Sequence, residues 1–146
     1  MKIHRSIEIA APSKKIWPFL VEPEKILKWC APAKKFDRTG NQSSGQGTSF
    51  YFEERAAGRL MKLNFVVTEW VVNERVAFKM TTGNFVKEYE QRYTIESIPS
   101  GSRCTCFEDV KLPYGIFGQL ALLFRRRYSE GLLESMLGRL KVLAEA

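Results

Sequence analysis

Up to Leu112 polar and apolar residues largely alternate one by one, and after Gly115 the apolar period lengthens to about 3.6. Lys2 to Ala10 sets Ile3, Ile7 and Ile9 on one face against Lys2, His4, Ser6 and Glu8, which predicts a strand. Pro12 and Ser13 then open a short helix, with Ser13 as its cap and Ile16, Trp17, Phe19, Leu20 and Val21 as its apolar stripe. Pro18 lies near enough to the start to be tolerated. Pro23 begins a second short helix or turn through Glu24 to Trp29, whose Ile26, Leu27 and Trp29 are expected to pack back on the body of the fold.

From Lys35 onward strands alternate with turns. The Gly/Ser/Asn/Gln-rich stretch from Gly40 to Gly47 reads as a hairpin connection; it lacks the Lys-Ser/Thr end of a phosphate-binding loop, and no helix follows it. Thr48 to Glu54 sets Phe50 and Phe52 against Ser49, Tyr51 and Glu53, and Ala57-Gly58 turns the chain. Leu60 to Val72 places Met61, Leu63, Phe65, Val67 and Val71 on one face and Trp70 on the other. After a turn at Asn73-Glu74, Arg75 to Thr82 sets Val76, Phe78 and Met80 opposite Arg75, Ala77 and Lys79, and Gly83-Asn84 closes the next hairpin. Val86 to Ile98 turns Tyr89, Gln91, Tyr93 and Ile95 inward and leaves its charged residues in water. Beyond the Pro99-Ser100-Gly101 turn, Arg103 to Leu112 aligns Cys104, Cys106, Glu108, Val110 and Leu112 inward.

Residues Ile116 to Ala146 then read as one helix, about 45 Å long, with a stripe through Phe117, Leu120, Phe124, Tyr128, Leu132, Met136, Leu140 and Leu143. Gly118 and Gly131 each weaken a helix by about 1 kcal/mol relative to Ala, so they mark a kink or a close approach. The order predicts an α+β fold: a curved antiparallel sheet of about seven strands wrapped around a long C-terminal helix, with two short helices after the first strand. A curved sheet and a straight rod do not match in shape, and the space between them is expected to be an apolar pocket with a few polar groups.

Composition narrows the classes. With 45% hydrophobic and 27% charged residues the chain is neither disordered nor membrane-embedded, and its 146 residues suit one domain, 1–146. No secretion signal or run of about eighteen apolar residues occurs, which places the expected location in the cytoplasm. Cys30, Cys104 and Cys106 are too few for a disulfide framework and read as reduced thiols; His4 is the sole histidine and no second Cys pair exists, so no metal or other cofactor is expected. The net charge of +7 is spread along the chain except at Arg125, Arg126 and Arg127, and no nucleic-acid-binding signature surrounds them.

Ile7 to Leu20 (IEIAAPSKKIWPFL), Trp29, Val67 to Phe78 (VTEWVVNERVAF), Tyr93 to Thr105 (YTIESIPSGSRCT) and the final LGRLKVLAE follow one another as in a known superfamily. In these segments the sequence resembles the START-like helix-grip (SRPBCC) superfamily, and within it the polyketide cyclase/dehydrase-like branch. The likeness spans the chain. It implies a helix-grip fold, with the glycine-bearing loop after the second strand near a cavity mouth. It also implies binding of lipids, sterols, polyketides, plant hormones or other apolar molecules, or catalysis of ring closure or dehydration by a few polar cavity residues. Such a fold hosts several functions and selects none of them.

Glu108 is the leading candidate for chemistry, because an ionisable group in an inward apolar row is costly unless it is paired or used. Tyr89, Gln91 and Tyr93 are expected beside it. Together they could hold a ligand hydroxyl or carbonyl, or serve a cyclase/dehydratase in which Glu108 is the acid/base and Tyr89 or Tyr93 stabilises an oxyanion. The competing reading pairs Glu108 with an arginine or water at a bulge and makes the tyrosines plain core. Phe50, Phe52, Phe65, Phe78, Met80, Val110, Leu120 and Phe124 are the expected apolar lining. Ile116 to Phe124 is apolar around much of its circumference and must be covered by the sheet, a second subunit, or an anionic membrane touched through Arg125, Arg126 and Arg127. The expected partner is thus a small hydrophobic ligand, with monomer and homodimer both open.

Overall fold

A computed structural model describes residues 1–56 and 58–146. The elements run β1 Lys2–Ile9, α1 Ser13–Val21, α2 Pro23–Trp29, β2 Ala33–Thr39, β3 Ser49–Ala56, β4 Arg59–Val71, β5 Arg75–Gly83, β6 Glu88–Ile98, β7 Gly101–Lys111 and α3 Gly115–Glu145. The strands form a seven-stranded antiparallel sheet in the order β1-β7-β6-β5-β4-β3-β2. β1 and β2 are neighbours in sequence yet occupy opposite edges, so α1 and α2 carry the chain from one edge to the other. The expected helix-grip architecture is present. Ala57, half of the expected Ala57-Gly58 turn, lies outside the described residues; Gly58 takes φ 75°, where glycine avoids the Cβ penalty.

The C-terminal half of α3 is held by charges as well as by core. Arg5, inward on β1, reaches Glu130 at 3.0 Å and Glu134 at 2.7 Å. Lys141 donates to the Glu8 carbonyl at 2.8 Å, and Glu145 accepts from the Ala10 N–H at 2.8 Å, capping the exit of β1. Beneath these ties Leu133, Leu137 and Leu140 bury against Ile9, Ile16 and Leu20 in one core. Trp29 closes that core as expected: its ring lies edge-on to Tyr93 at 5.9 Å and its indole N–H donates to the Phe19 carbonyl at 2.8 Å.

Several expectations need correction, because local alternation and periodicity register neither bulges nor close approaches between elements. The helix α1 begins at Ser13, with Pro12 in the cap position and no side-chain cap. A register shift between Val67 and Glu69 on β4 reverses the alternation, so Trp70 pairs with Val76 and packs edge-on to Trp17 at 5.3 Å instead of facing away. Ala77 is buried, although its alternation assigns it to the outer face. On α3 the expected stripe holds at Met136 and Leu140, but Phe117, Leu120, Phe124 and Tyr128 are exposed while Gly118, Leu122, Leu133 and Leu137 turn inward. Gly118 sits so near the end of β7 that a Cβ would collide with the Pro113 carbonyl; there small size, not apolar bulk, marks the buried side.

Candidate ligand-binding site

The sheet's inner face, α2 and α3 enclose a cavity of about 200 Å³. Inward positions two apart on each strand supply its walls. Phe52 comes from β3, Phe65 from β4, Phe78 from β5, Tyr89, Gln91 and Tyr93 from β6, and Glu108 and Val110 from β7. These eight are expected lining residues that meet in one place. α2 adds Ile26 and Trp29, and α3 adds Leu122, Tyr128, Leu132 and Met136.

Four expected lining residues lie elsewhere. Phe50 is buried but does not line the cavity; it packs against the lining rings of Phe36 at 4.9 Å and Phe78 at 5.9 Å between ring centres. Met80 is half-buried and lies outside the cavity, although it pairs with Phe65 on β4. Leu120 and Phe124 point to solvent, since α3 turns its Gly118 and Leu122 side to the sheet.

Glu54 is the residue that alternation overlooked. It follows Phe50 and Phe52 in the inward phase of β3 and enters the cavity with Glu108. The phase was legible: an ionisable residue two positions beyond a buried Phe is the same signal that singled out Glu108. Cys30, Pro32, Arg125 and Ser129 also line the space; Arg125 is exposed and stands at its opening.

Neither cavity carboxyl has an ion-pair partner among the described residues. Burial pushes Glu54 up to about 7, and the charge of Glu108 adds to the rise. Glu108 is also raised by burial, with hydrogen bonding by Gln91 and Tyr89 holding the rise back. The Gln91 amide donates to Glu108 Oε1 at 2.7 Å. Burial, then the neighbouring carboxylates and thiols, keeps the Tyr89 and Tyr93 hydroxyls well above the usual phenol range, so both stay neutral donors. Near neutral pH the site therefore offers an amide, two phenols and a carboxyl that gives or takes a proton, all set in aromatic walls. No group of side chains with metal-ligand geometry occurs among the described residues.

The family described as polyketide cyclase / dehydrase and lipid transport matches residues 1–145. No curated protein matches the sequence. Among solved structures, the protein TTHA0849 from Thermus thermophilus is similar at a TM-score of 0.83 and 18% identity, covering 99% of this chain and 97% of that one. A START superfamily protein from Mycobacterium smegmatis is similar at 0.79 and 16%, covering 97% and 98%. The ZhuI aromatase/cyclase from Streptomyces sp. R1128 is similar at 0.72 and 14%, covering 97% and 93%. At these identities the likeness is one of fold.

Proposed function

We propose that this chain, which belongs to the polyketide cyclase / dehydrase and lipid transport family, binds a small, largely apolar molecule bearing a hydroxyl or carbonyl group. The observation that carries this reading is the cavity of about 200 Å³, open on the side of Arg125, in which Phe52, Phe65 and Phe78 face an array of Gln91, Tyr89, Tyr93, Glu54 and Glu108. Aromatic walls supply most of the binding through burial, and the polar array fixes orientation. The volume lies below the ~300–1000 Å³ usual for drug-sized ligands, which favours an aromatic or short-chain molecule over a two-chain lipid.

Native mass spectrometry of protein purified without detergent, followed by solvent extraction, tests it. A co-purifying apolar compound is expected, and adding an aromatic alcohol such as 2-naphthol should shift the resonances of Phe65, Tyr89 and Tyr93. Protein that carries nothing and shows no shift at those rings would end the reading.

The second reading is catalytic. Glu108 enters the cavity on the Gln91 amide with Tyr89 adjacent, which supports it as acid/base of a cyclase/dehydratase with Tyr89 or Tyr93 stabilising an oxyanion. Glu108→Gln separates the two: a binder keeps its ligand, whereas an enzyme loses turnover by about a hundredfold or more while still binding.

A further inference from the structure

The first half of α3 presents Ile116, Phe117, Leu120, Leu123, Phe124 and Tyr128 to solvent, and Phe124 is 90% exposed. At about 100° per residue these six fall within an arc of roughly 140°. Arg127 lies inside the arc, while Arg125 and Arg126 flank its two sides at about 60°. No acidic residue occurs between Gly115 and Tyr128. Glu130, the first acid beyond, is engaged by Arg5 at 3.0 Å and Arg126 at 3.0 Å. Among the described residues the polar ties from α3 to the β1 end of the sheet all start from Glu130 or later, and the first half meets the fold only through its Gly118 and Leu122 side, opposite the exposed arc. Single exposed apolar residues need no explanation, but six on one helical face do.

We propose that this face of α3 lies on an anionic lipid surface, its apolar side chains at the acyl boundary and Arg125, Arg126 and Arg127 on the headgroups. Charge complementarity selects this occupant. A second copy seated on the same face in a two-fold contact sets three arginines against three arginines, on chains that each carry +7. An interfacial helix wants the opposite: apolar residues on one arc, cations at its borders, and no acids. Arg127 can extend its stem along Leu120 and Leu123 and keep its guanidinium at headgroup level. The helix also starts with no side-chain cap and no acid in its first turn, so its positive end adds to the same field. Among the described residues no helix is long and apolar enough to cross a membrane. Leu122, Arg125, Tyr128 and Ser129 belong to both this half-helix and the cavity wall, so docking brings the cavity opening to the lipid. The docking itself does not depend on the cavity being filled.

Flotation of the full chain with vesicles of equal parts phosphatidylglycerol and phosphatidylcholine, against phosphatidylcholine alone, tests it. The protein is expected to float with the anionic vesicles only and to be released by salt. Phe117→Ser with Phe124→Ser, neither in the cavity wall, and separately Arg127→Glu, which breaks no ion pair among the described residues, should each weaken partitioning by about tenfold or more at an unchanged melting temperature. Failure to float, or equal flotation of either variant, overturns the proposal. So does a stable dimer in lipid-free solution that Phe117→Ser with Phe124→Ser converts to monomer, which would assign the face to a second copy. The salt titration of the unaltered chain reads the electrostatic part without any variant: binding indifferent to salt removes it.

Discussion

Gln91 on β6 and Glu108 on β7 stand directly opposite each other in the ladder, and the Gln91 amide donates to Glu108 Oε1 across 2.7 Å. This bond favours the charged carboxylate against burial, which disfavours it. Replacing Gln91 by Leu should therefore raise the Glu108 midpoint further. With less charge on Glu108, Glu54 should titrate lower than its present value of about 7. Carbon-detected NMR titration of the two carboxyls reads both movements, and midpoints that stay where they are would show that the bond does not set the local balance.

Glu54 also makes a stability prediction with a definite sign. Its folded midpoint of about 7 lies above the ordinary carboxyl value, so between about 4.5 and 7 the folded chain holds a proton that the unfolded chain has released. That contribution is fully present below about 4.5 and is lost as pH rises toward 7. At most about 3 kcal/mol is involved, from roughly 1.4 kcal/mol per unit. Glu54→Gln should flatten this slope and leave the variant more stable than the unaltered chain at pH 8. Urea unfolding at pH 5 and pH 8 measures it; parallel slopes for the two proteins would refute the assignment.

Much of this was legible in the sequence because strand alternation and helix period are local signals. The sheet, the terminal helix and eight cavity residues, Glu108 among them, follow from parity and period. What escaped depends on geometry that parity does not encode. The register shift near Glu69 turns Trp70 inward, and no residue between Val67 and Trp70 announces it. On α3 the bulky stripe Phe117, Leu120, Phe124 and Tyr128 outweighs Gly118 and Ser129 in any apolar count, yet the small side is the one that meets the body of the fold. Glu54 was different in kind: it is in phase with Phe50 and Phe52, but a Glu near a strand end ordinarily reaches water, and that expectation masks the phase.

The cysteines should be inert. Cys30, Cys104 and Cys106 are free and buried, and burial pushes Cys30 and Cys104 up to about 12 and Cys106 well above its ordinary range. Because the thiolate is the reactive form, Ellman's reagent at pH 8 should label none of the three in the folded chain and all three in guanidinium. Cys30 alone of them lines the cavity, so any slow native labelling should fall there and be suppressed by a bound ligand. Rapid labelling of Cys104 or Cys106 in the folded state would contradict the packing of β7.

Two glycines of α3 should respond oppositely to the same substitution. Gly131 has open space where a Cβ would go and an ordinary helical backbone, so Gly131→Ala should stabilise by about 0.4–1 kcal/mol through helix propensity and reduced unfolded-state freedom. Gly118 has the same helical preference working in its favour, but its Cβ would run into the Pro113 carbonyl and stand 3.1 Å from Leu112 Cβ. That obstacle is backbone at the β7–α3 junction and cannot swing aside as a side chain would, so Gly118→Ala should destabilise, by about 1–3 kcal/mol of the kind seen on overpacking. Thermal unfolding of the two single variants distinguishes the cases, since propensity alone predicts a gain at both positions. A gain at Gly118 would mean that the start of α3 moves freely away from β7, and with it the cavity wall that Leu122 provides.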